Sequence, residues 1–353
     1  MIFPASYTAS LVLLVVSMVC WGSWANTQKA ASKFRFELYY YDFAFGFVLL
    51  TVVAAFTLGS LNPSELTFQD NFLITGYRKM AYAVAAGLVF NLGNMLLAAA
   101  VSVAGMAVAF PMALGVALVI GTAWNLMFGT ASSMLLSMGG AGLVMIALVI
   151  AGYAYSSRLD AVYEQSKKDA LQIDPRSKAA KRSARPPSAA RGIALGIIGG
   201  IALGLFQPLV ESAREGDDGV APYGLALLFA AGVLFATLVL GPFFFNFPVA
   251  GRPIRFRDYF AGTMRQHLLG LLGGLMGAAA ILCSLLPAAA SAANRVAPAP
   301  GYALAQGGTL LAALWGLLVW REFKGSSDRI RLLFLGVLVL YAAGIAVLSV
   351  ARG

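Results

Sequence analysis

Few side chains in this sequence are equipped for bond-making chemistry, and they are scattered. There is one histidine, His267, and there are two cysteines, Cys20 and Cys283, each inside a long apolar run. A metal site needs three or four converging ligands, and a nucleophilic site needs a base beside its nucleophile. Neither pattern occurs, so the sequence reads as a protein that is not an enzyme and holds no metal or cofactor. What remains is recognition by neutral polar groups. Asn91 and Asn94 share one helix face within Phe90-Asn91-Leu92-Gly93-Asn94. Gln207 and Gln306 stand in other apolar runs. An amide both donates and accepts hydrogen bonds, which suits a hydroxylated or amide-bearing solute.

The indoles of Trp21 and Trp315 offer flat faces for the ring of such a solute. The expected substrate-binding set is therefore Trp21, Asn91, Asn94, Gln207, Gln306 and Trp315. Each residue also has a plain structural reading. Amides can bond helix to helix, and aromatic residues can line the membrane interface. The interfacial reading is strongest for Trp24, Trp320 and the run Tyr39-Tyr40-Tyr41. Asp42 and Glu211 are carboxyls inside apolar runs and hence candidates for carrying a coupling proton. The alternatives are an interfacial partner for Lys29, Lys33 or Arg35 in the case of Asp42, and a solvated helix end for Glu211. His267 reads as an interfacial cap.

These residues need a frame, and composition supplies it. The chain has 353 residues, 60% hydrophobic and 11% charged, against roughly 25% charged in a soluble domain. A crossing helix needs ~20 apolar residues. Ten segments meet this, near 7–28, 38–59, 79–103, 104–128, 133–155, 192–213, 221–246, 266–289, 299–320 and 331–350. The expected fold is an all-α membrane protein of ten transmembrane helices. Gly105 and the stretch 129–132 are the expected breaks in the long apolar region. The net charge of +10 does not indicate nucleic acid, because the basic residues lie in short loops between apolar runs. Odd-numbered loops carry 20 of the 25 Lys and Arg residues. The positive-inside rule then makes those loops cytoplasmic and both termini external. The basic segment 156–190 reads as a flexible cytoplasmic linker between an N-terminal unit, 1–155, and a C-terminal unit, 191–353.

The two units echo each other. At an offset of 182, Gly22 meets Gly204, Tyr41 meets Tyr223 and Gly59 meets Gly241. At an offset of 196, Ala117 meets Ala313, Trp124 meets Trp320, Gly129 meets Gly325 and Gly140 meets Gly336. Five spans per unit is an odd number, so the second unit enters the bilayer from the opposite side. Two inverted five-helix repeats around a central site are a structural basis for alternating access.

Three runs carry a further resemblance. They are Cys20-Trp21-Gly22-Ser23-Trp24-Ala25-Asn26-Thr27-Gln28-Lys29, Phe90-Asn91-Leu92-Gly93-Asn94, and Ala313-Leu314-Trp315-Gly316-Leu317-Leu318-Val319-Trp320-Arg321-Glu322-Phe323-Lys324-Gly325. Together they resemble the drug/metabolite transporter superfamily, in its glucose/ribose porter and ureide permease branch. The resemblance covers nearly the whole chain. It implies a secondary transporter of a small uncharged, sugar-like solute, with a proton as a possible partner. Export of metabolites, amino acids or drugs, and ureide or nucleobase permeation, are the alternatives. The central loop lacks the nucleotide-type motif of the plant ureide permeases, which weighs against the ureide alternative. The expected setting is a multi-pass protein of the cell (inner or plasma) membrane. Its partners are the bilayer and a small-molecule substrate, with monomer and homodimer both open.

Overall fold

The computed structural model describes residues 1–61, 66–128, 133–173 and 189–352. Within them the chain is helical, in the order α1 (Tyr7–Ala30), α2 (Phe36–Phe56), α3 (Phe68–Ile74), α4 (Tyr77–Ala104), α5 (Met106–Phe128), α6 (Met134–Ile173), α7 (Ala190–Arg214), α8 (Pro222–Asn246), α9 (Met264–Ala288), α10 (Pro298–Leu314) and α11 (Asp328–Val350). All but the short α3 are long and apolar enough to cross a bilayer, α10 together with the π-helical turn that extends it to Val319, with peak mean hydropathies of 1.5 to 2.5. This is a multi-pass α-helical membrane protein. A polar backbone in hydrocarbon must bond within its own segment, which is why the spans are helical.

Local chemistry sets several helix ends. Pro222 and Pro298 open α8 and α10 at a position where a missing N–H costs nothing. Thr263 and Gln266 form a capping box at the start of α9. Gly105, with φ +84°, separates α4 from α5, as the sequence suggested. The second expected break, at 129–132, lies outside the described residues, as does Gly129 of the repeat pairs. Two elements depart from expectation. The short α3, capped by Thr67 and Asp70, was not foreseen. The helix α6 runs on to Ile173, so the first half of the supposed linker is helix. Its extension is rich in Ala, Leu, Glu, Gln and Lys, good helix formers that hold a helix in water without an apolar stripe.

The core is built from close crossings, and the crossings come in pairs. The helix α1 packs on α9 and α10, α4 on α7 and α8, α2 on α8 and α9, α5 on α6 and α7, α6 on α11, and α10 on α11. Exchanging the first five spans for the last five in order reproduces this set of neighbours. The glycines show the match at residue level. A Cβ on Gly46 would collide with the Leu271 carbonyl, and one on Gly274 with the Phe43 carbonyl. At the related crossing, Gly232 abuts the Val84 carbonyl and Gly87 the Phe229 carbonyl. A Cβ on Gly140 would lie 3.0 Å from the Gly344 oxygen, and one on Gly344 would lie 3.0 Å from the Gly140 oxygen.

These contacts correct part of the sequence register. Gly22 lies against Gly308 while Gly204 lies against Ala117, which retains the Gly22/Gly204 match. Phe43 and Gly46 correspond to Phe229 and Gly232, so the Tyr41/Tyr223 match is one helical turn out of step. Ala117 corresponds to Gly308, which pairs Trp124 with Trp315 rather than Trp320, and Gly140 pairs with Gly344 rather than Gly336.

The expected consequence is specific. Gly274→Val should lower the unfolding temperature in detergent, at a cost of about 1–3 kcal/mol from overpacking. Gly336→Ala, where no atom lies within 4 Å of the new Cβ, should leave it unchanged. Equal thermal stability for the two variants would contradict the crossing geometry.

Candidate functional site

The middle of the molecule is an aromatic cluster with polar groups set into it. Trp21 meets Phe90 edge-on at 5.5 Å between ring centroids, and Phe90 meets Phe229 at 5.1 Å. Trp24 meets Phe43 at 5.3 Å and Phe110 at 6.1 Å. Bulky rings from five spans thus fill the space between α1 and α4.

On α4 the residues Asn91, Asn94, Ala98 and Ser102 form one stripe. Asn91 is fully buried and donates through Nδ2 to Thr237 Oγ1 at 3.0 Å. Asn94, also buried, donates to the Tyr40 hydroxyl at 2.7 Å. Further along, Gln28 of α1 donates to the Ala98 carbonyl at 2.9 Å and to Ser102 Oγ at 3.0 Å. Each amide thus has a donor engaged, yet the carbonyl oxygens of Asn91, Asn94 and Gln28 and the indole N–H of Trp24 are buried without a partner. An unpaired buried group costs about 1–3 kcal/mol, so several beside one helix face mark a place prepared for something else.

A cavity of about 650 Å³ leads toward this stripe. Gln28, Lys29, Arg35, Glu37, Ser102 and Glu322 are among its lining residues. It opens on the face that carries the basic loops. From Ser102 to Asn91 the stripe descends about 16 Å at the helical rise per residue. On the opposite face, loops are tied down: Asn71 bridges Gly219 and Ala221, Tyr223 bonds the Ile2 carbonyl at 2.7 Å, and Lys79 bonds the Ser212 carbonyl at 3.1 Å.

The rim of the cavity is held by charge. Glu322 accepts from the Met106 and Ala107 amides at 2.8 Å each, at the N-terminus of α5, and pairs with Lys29. The carboxylate therefore satisfies orphan amides and the positive end of the helix dipole together. Its chain reaches this position through a π-helical turn, Trp315–Val319, and a left-handed Arg321 with φ 48°. Trp315 donates to Ser23 Oγ at 2.9 Å, and Trp320 to Asn26 Oδ1 at 2.7 Å. Arg35 pairs with Glu37.

The sequence-derived set is only partly brought together. Asn91, Asn94 and Trp21 meet in the core. Gln306 is half-buried on α10, two residues from Gly308, whose position lies against Trp21. Trp315 is committed to Ser23. Gln207 is exposed and bonds Glu211 at 3.0 Å, and Glu211 is 60% exposed near Arg214. Neither of those two is in the core, because they share the outward face of the last turns of α7, whose opposite face buries Val210 and Ala213. Trp24, Tyr39 and Tyr40, read as belt residues, are fully buried, and Trp320 is tied to α1. Asp42 pairs with none of the nearby lysines or arginines; it faces His267 and Tyr259, and His267 is not a cap. Burial, reinforced by the bond to Asp42, pushes the Tyr259 phenol well above its ordinary range. Gln28, Trp24, Tyr40 and Thr237 were missed as site residues. The regular spacing from Asn91 to Ser102 was the available signal.

No protein-family model matches the chain. Three curated relatives from Arabidopsis thaliana align with it nearly end to end. Ureide permease 4 is 21% identical over 99% of this chain and 98% of its own length. Ureide permease 1 is 22% identical over 89% of each. Ureide permease 2 is 22% identical over 98% of this chain and 96% of its own length. This chain is similar to ureide permeases. Ten apolar spans and full-length similarity to permeases support a transporter, and a small molecule as its partner.

One outcome tests the rim. Glu322→Gln removes the Lys29 pair and weakens the α5 cap, and should reduce stability by about 1–3 kcal/mol, below the full cost of breaking a buried pair because Lys29 is partly solvated. Thermal unfolding in detergent unchanged by this substitution would show the cap to be energetically idle.

Proposed function

We propose that the chain is a secondary transporter that carries a ureide-like solute, small, uncharged and rich in amide groups, by alternating access. The observation that carries the reading is the pair of unpaired amide oxygens of Asn91 and Asn94, at the inner end of a polar stripe leading from an open cavity. A ureide presents several N–H donors and carbonyl acceptors in one plane. Its donors match those oxygens, and its plane suits the aromatic walls. A sugar-like solute, the first expectation from the sequence, could use the same amides. The ureide permease relatives favour the ureide alternative over it.

In this proposal Asn91, Asn94 and Trp21 contact the solute, with Tyr40, Thr237 and Gln28 supporting them and Gln306 lining its path on α10. Trp315 holds α10 to α1, and Gln207 and Glu211 belong to the far face. The paired crossings support two inverted five-helix repeats, within 1–155 and 191–353. Such a pair can open its two faces in turn about a shared centre. The loop charges favour an orientation with the cavity mouth in the cytoplasm and both termini outside, in a cell membrane. A proton is the proposed coupling ion.

Thermal stability in detergent, measured with a panel of ureides, hydantoins, nucleobases, monosaccharides and polyols, tests this. A bound solute at a hundred times its Kd adds about 2.7 kcal/mol of stability. Ureides or hydantoins should raise the unfolding temperature, and Asn91→Ala or Asn94→Ala should abolish the rise. Stabilisation by monosaccharides alone would return the substrate to the sugar class. Stabilisation that survives both substitutions would move the site elsewhere.

A further inference from the structure

Three carboxylates lie within the bundle with side chains less than a tenth exposed among the described residues: Glu37, Asp42 and Glu322. Two have permanent cations, since Glu37 faces Arg35 and Glu322 faces Lys29. Asp42 does not. Its Oδ2 lies 2.8 Å from His267 Nδ1, and its Oδ1 accepts from the Tyr259 hydroxyl at 2.5 Å. His267 is the one histidine of the chain, and histidine changes charge in the physiological pH range. Asp42 is thus the buried carboxylate whose countercharge can be switched off.

The surroundings insulate this group. Phe34, from the turn between α1 and α2, meets the imidazole edge-on at 5.2 Å, and Tyr259 does so at 4.6 Å. Tyr39 of α2 is bonded to Thr27 rather than to Asp42. Tyr41 contacts Tyr259 by its ring at 6.2 Å. From α9, Gly270 seats its backbone against Asp42 Cβ, and a methyl group there would collide. The nearby fixed charges are engaged or turned outward. Arg257 lies 4.0 Å from Asp258, Arg265 is exposed, and Arg35 holds Glu37. The same junction binds the cavity rim, because Gln266, next to His267, donates to the Ala31 carbonyl at 3.1 Å and the Ser32 carbonyl at 3.3 Å. Four segments therefore meet at one titratable pair: the α1–α2 turn, α2, the α8–α9 connection and α9.

We infer that Asp42 and His267, braced by Tyr259, form the proton-carrying pair that couples the transport cycle to a proton gradient. The inference rests on the transporter reading above and assigns its coupling residues. With neutral His267 and ionised Asp42 the pair carries one net negative charge. One proton from solution, taken onto the imidazole or the carboxylate, brings it to zero. A lone buried charge costs more than a pair of zero net charge. The loaded pair therefore favours the packed junction seen here, and the unloaded pair favours an arrangement in which water reaches Asp42. Because the junction includes the cavity rim, proton binding and rim position become one equilibrium.

The test separates coupling from transport. The full-length protein in proteoliposomes is assayed for solute accumulation driven by a pH gradient and for solute counterflow at equal pH. Asp42→Asn and His267→Gln should cut gradient-driven accumulation by roughly tenfold, within the 5–150-fold span of typical coupling factors, and leave counterflow near the parent rate. Tyr259→Phe should show the same split to a smaller extent. Gradient-driven accumulation retained in Asp42→Asn and His267→Gln would overturn the inference, and so would equal loss of both activities in well-folded variants. A second readout needs no solute. In a background lacking Cys20 and Cys283, Ser102→Cys in the cavity wall is labelled with an impermeant thiol reagent at several pH values. The ratio of the labelling rate with Asp42→Asn to that without it should vary with pH. A constant ratio would overturn the coupling of the pair to the rim. No counterflow of any solute, with that ratio still varying, would instead sink the transporter reading.

Discussion

A polar side chain inside a bilayer has to find its partner within the protein, because hydrocarbon offers none. That constraint arranges the rest of this molecule. It turns the amides of α4 inward, sends Gln28 across to Ala98 and Ser102, and places Tyr40 on Asn94 and Thr237 on Asn91. It also makes the exceptions informative. Where the carbonyl oxygens of Asn91, Asn94 and Gln28 stay buried and unpaired, the protein forgoes stability.

Close packing delivers those groups to one place. Van der Waals contact, rather than hydrophobic burial, holds helices together in lipid, so small residues decide which helices approach. Gly46, Gly87, Gly232 and Gly274 let backbones touch carbonyl to Cα at two related crossings. Between these crossings side chains, rather than glycine-lined backbone, join α1 and α4. Large rings at such a contact can be displaced without unwinding a helix, whereas the glycine crossings cannot loosen without losing contact along their length. Rigid pairs flanking a softer, side-chain-filled centre suit a carrier whose two faces open alternately.

Much of the frame was legible in the sequence, because hydropathy and loop charge act over whole segments. Ten spans, the break at Gly105 and the inward role of Asn91 and Asn94 follow from run length, glycine and the cost of an amide in lipid. The internal echoes are less legible, since Gly and Ala matches carry little information and only contacts reveal which glycine faces which carbonyl. Site residues were harder. Gln207 and Glu211 looked intramembrane by position but sit where α7 faces outward, a matter of helix rotation that a short polar group does not announce. Trp24 and the tyrosines looked interfacial because they flank a span end, and tertiary packing drew them into the core. The Asp42–His267 contact joins residues 225 positions apart, and neither carries a local signal of the other.

The most direct measurement is a solute-bound structure of the full-length protein, determined with the ureide or hydantoin that stabilises it most. Ligand density should lie between α1 and α4, with ligand N–H groups within hydrogen-bonding distance of the Asn91 and Asn94 carbonyl oxygens. Density confined to the outer cavity near Lys33 and Arg35, with both asparagines still unpaired, would contradict that placement.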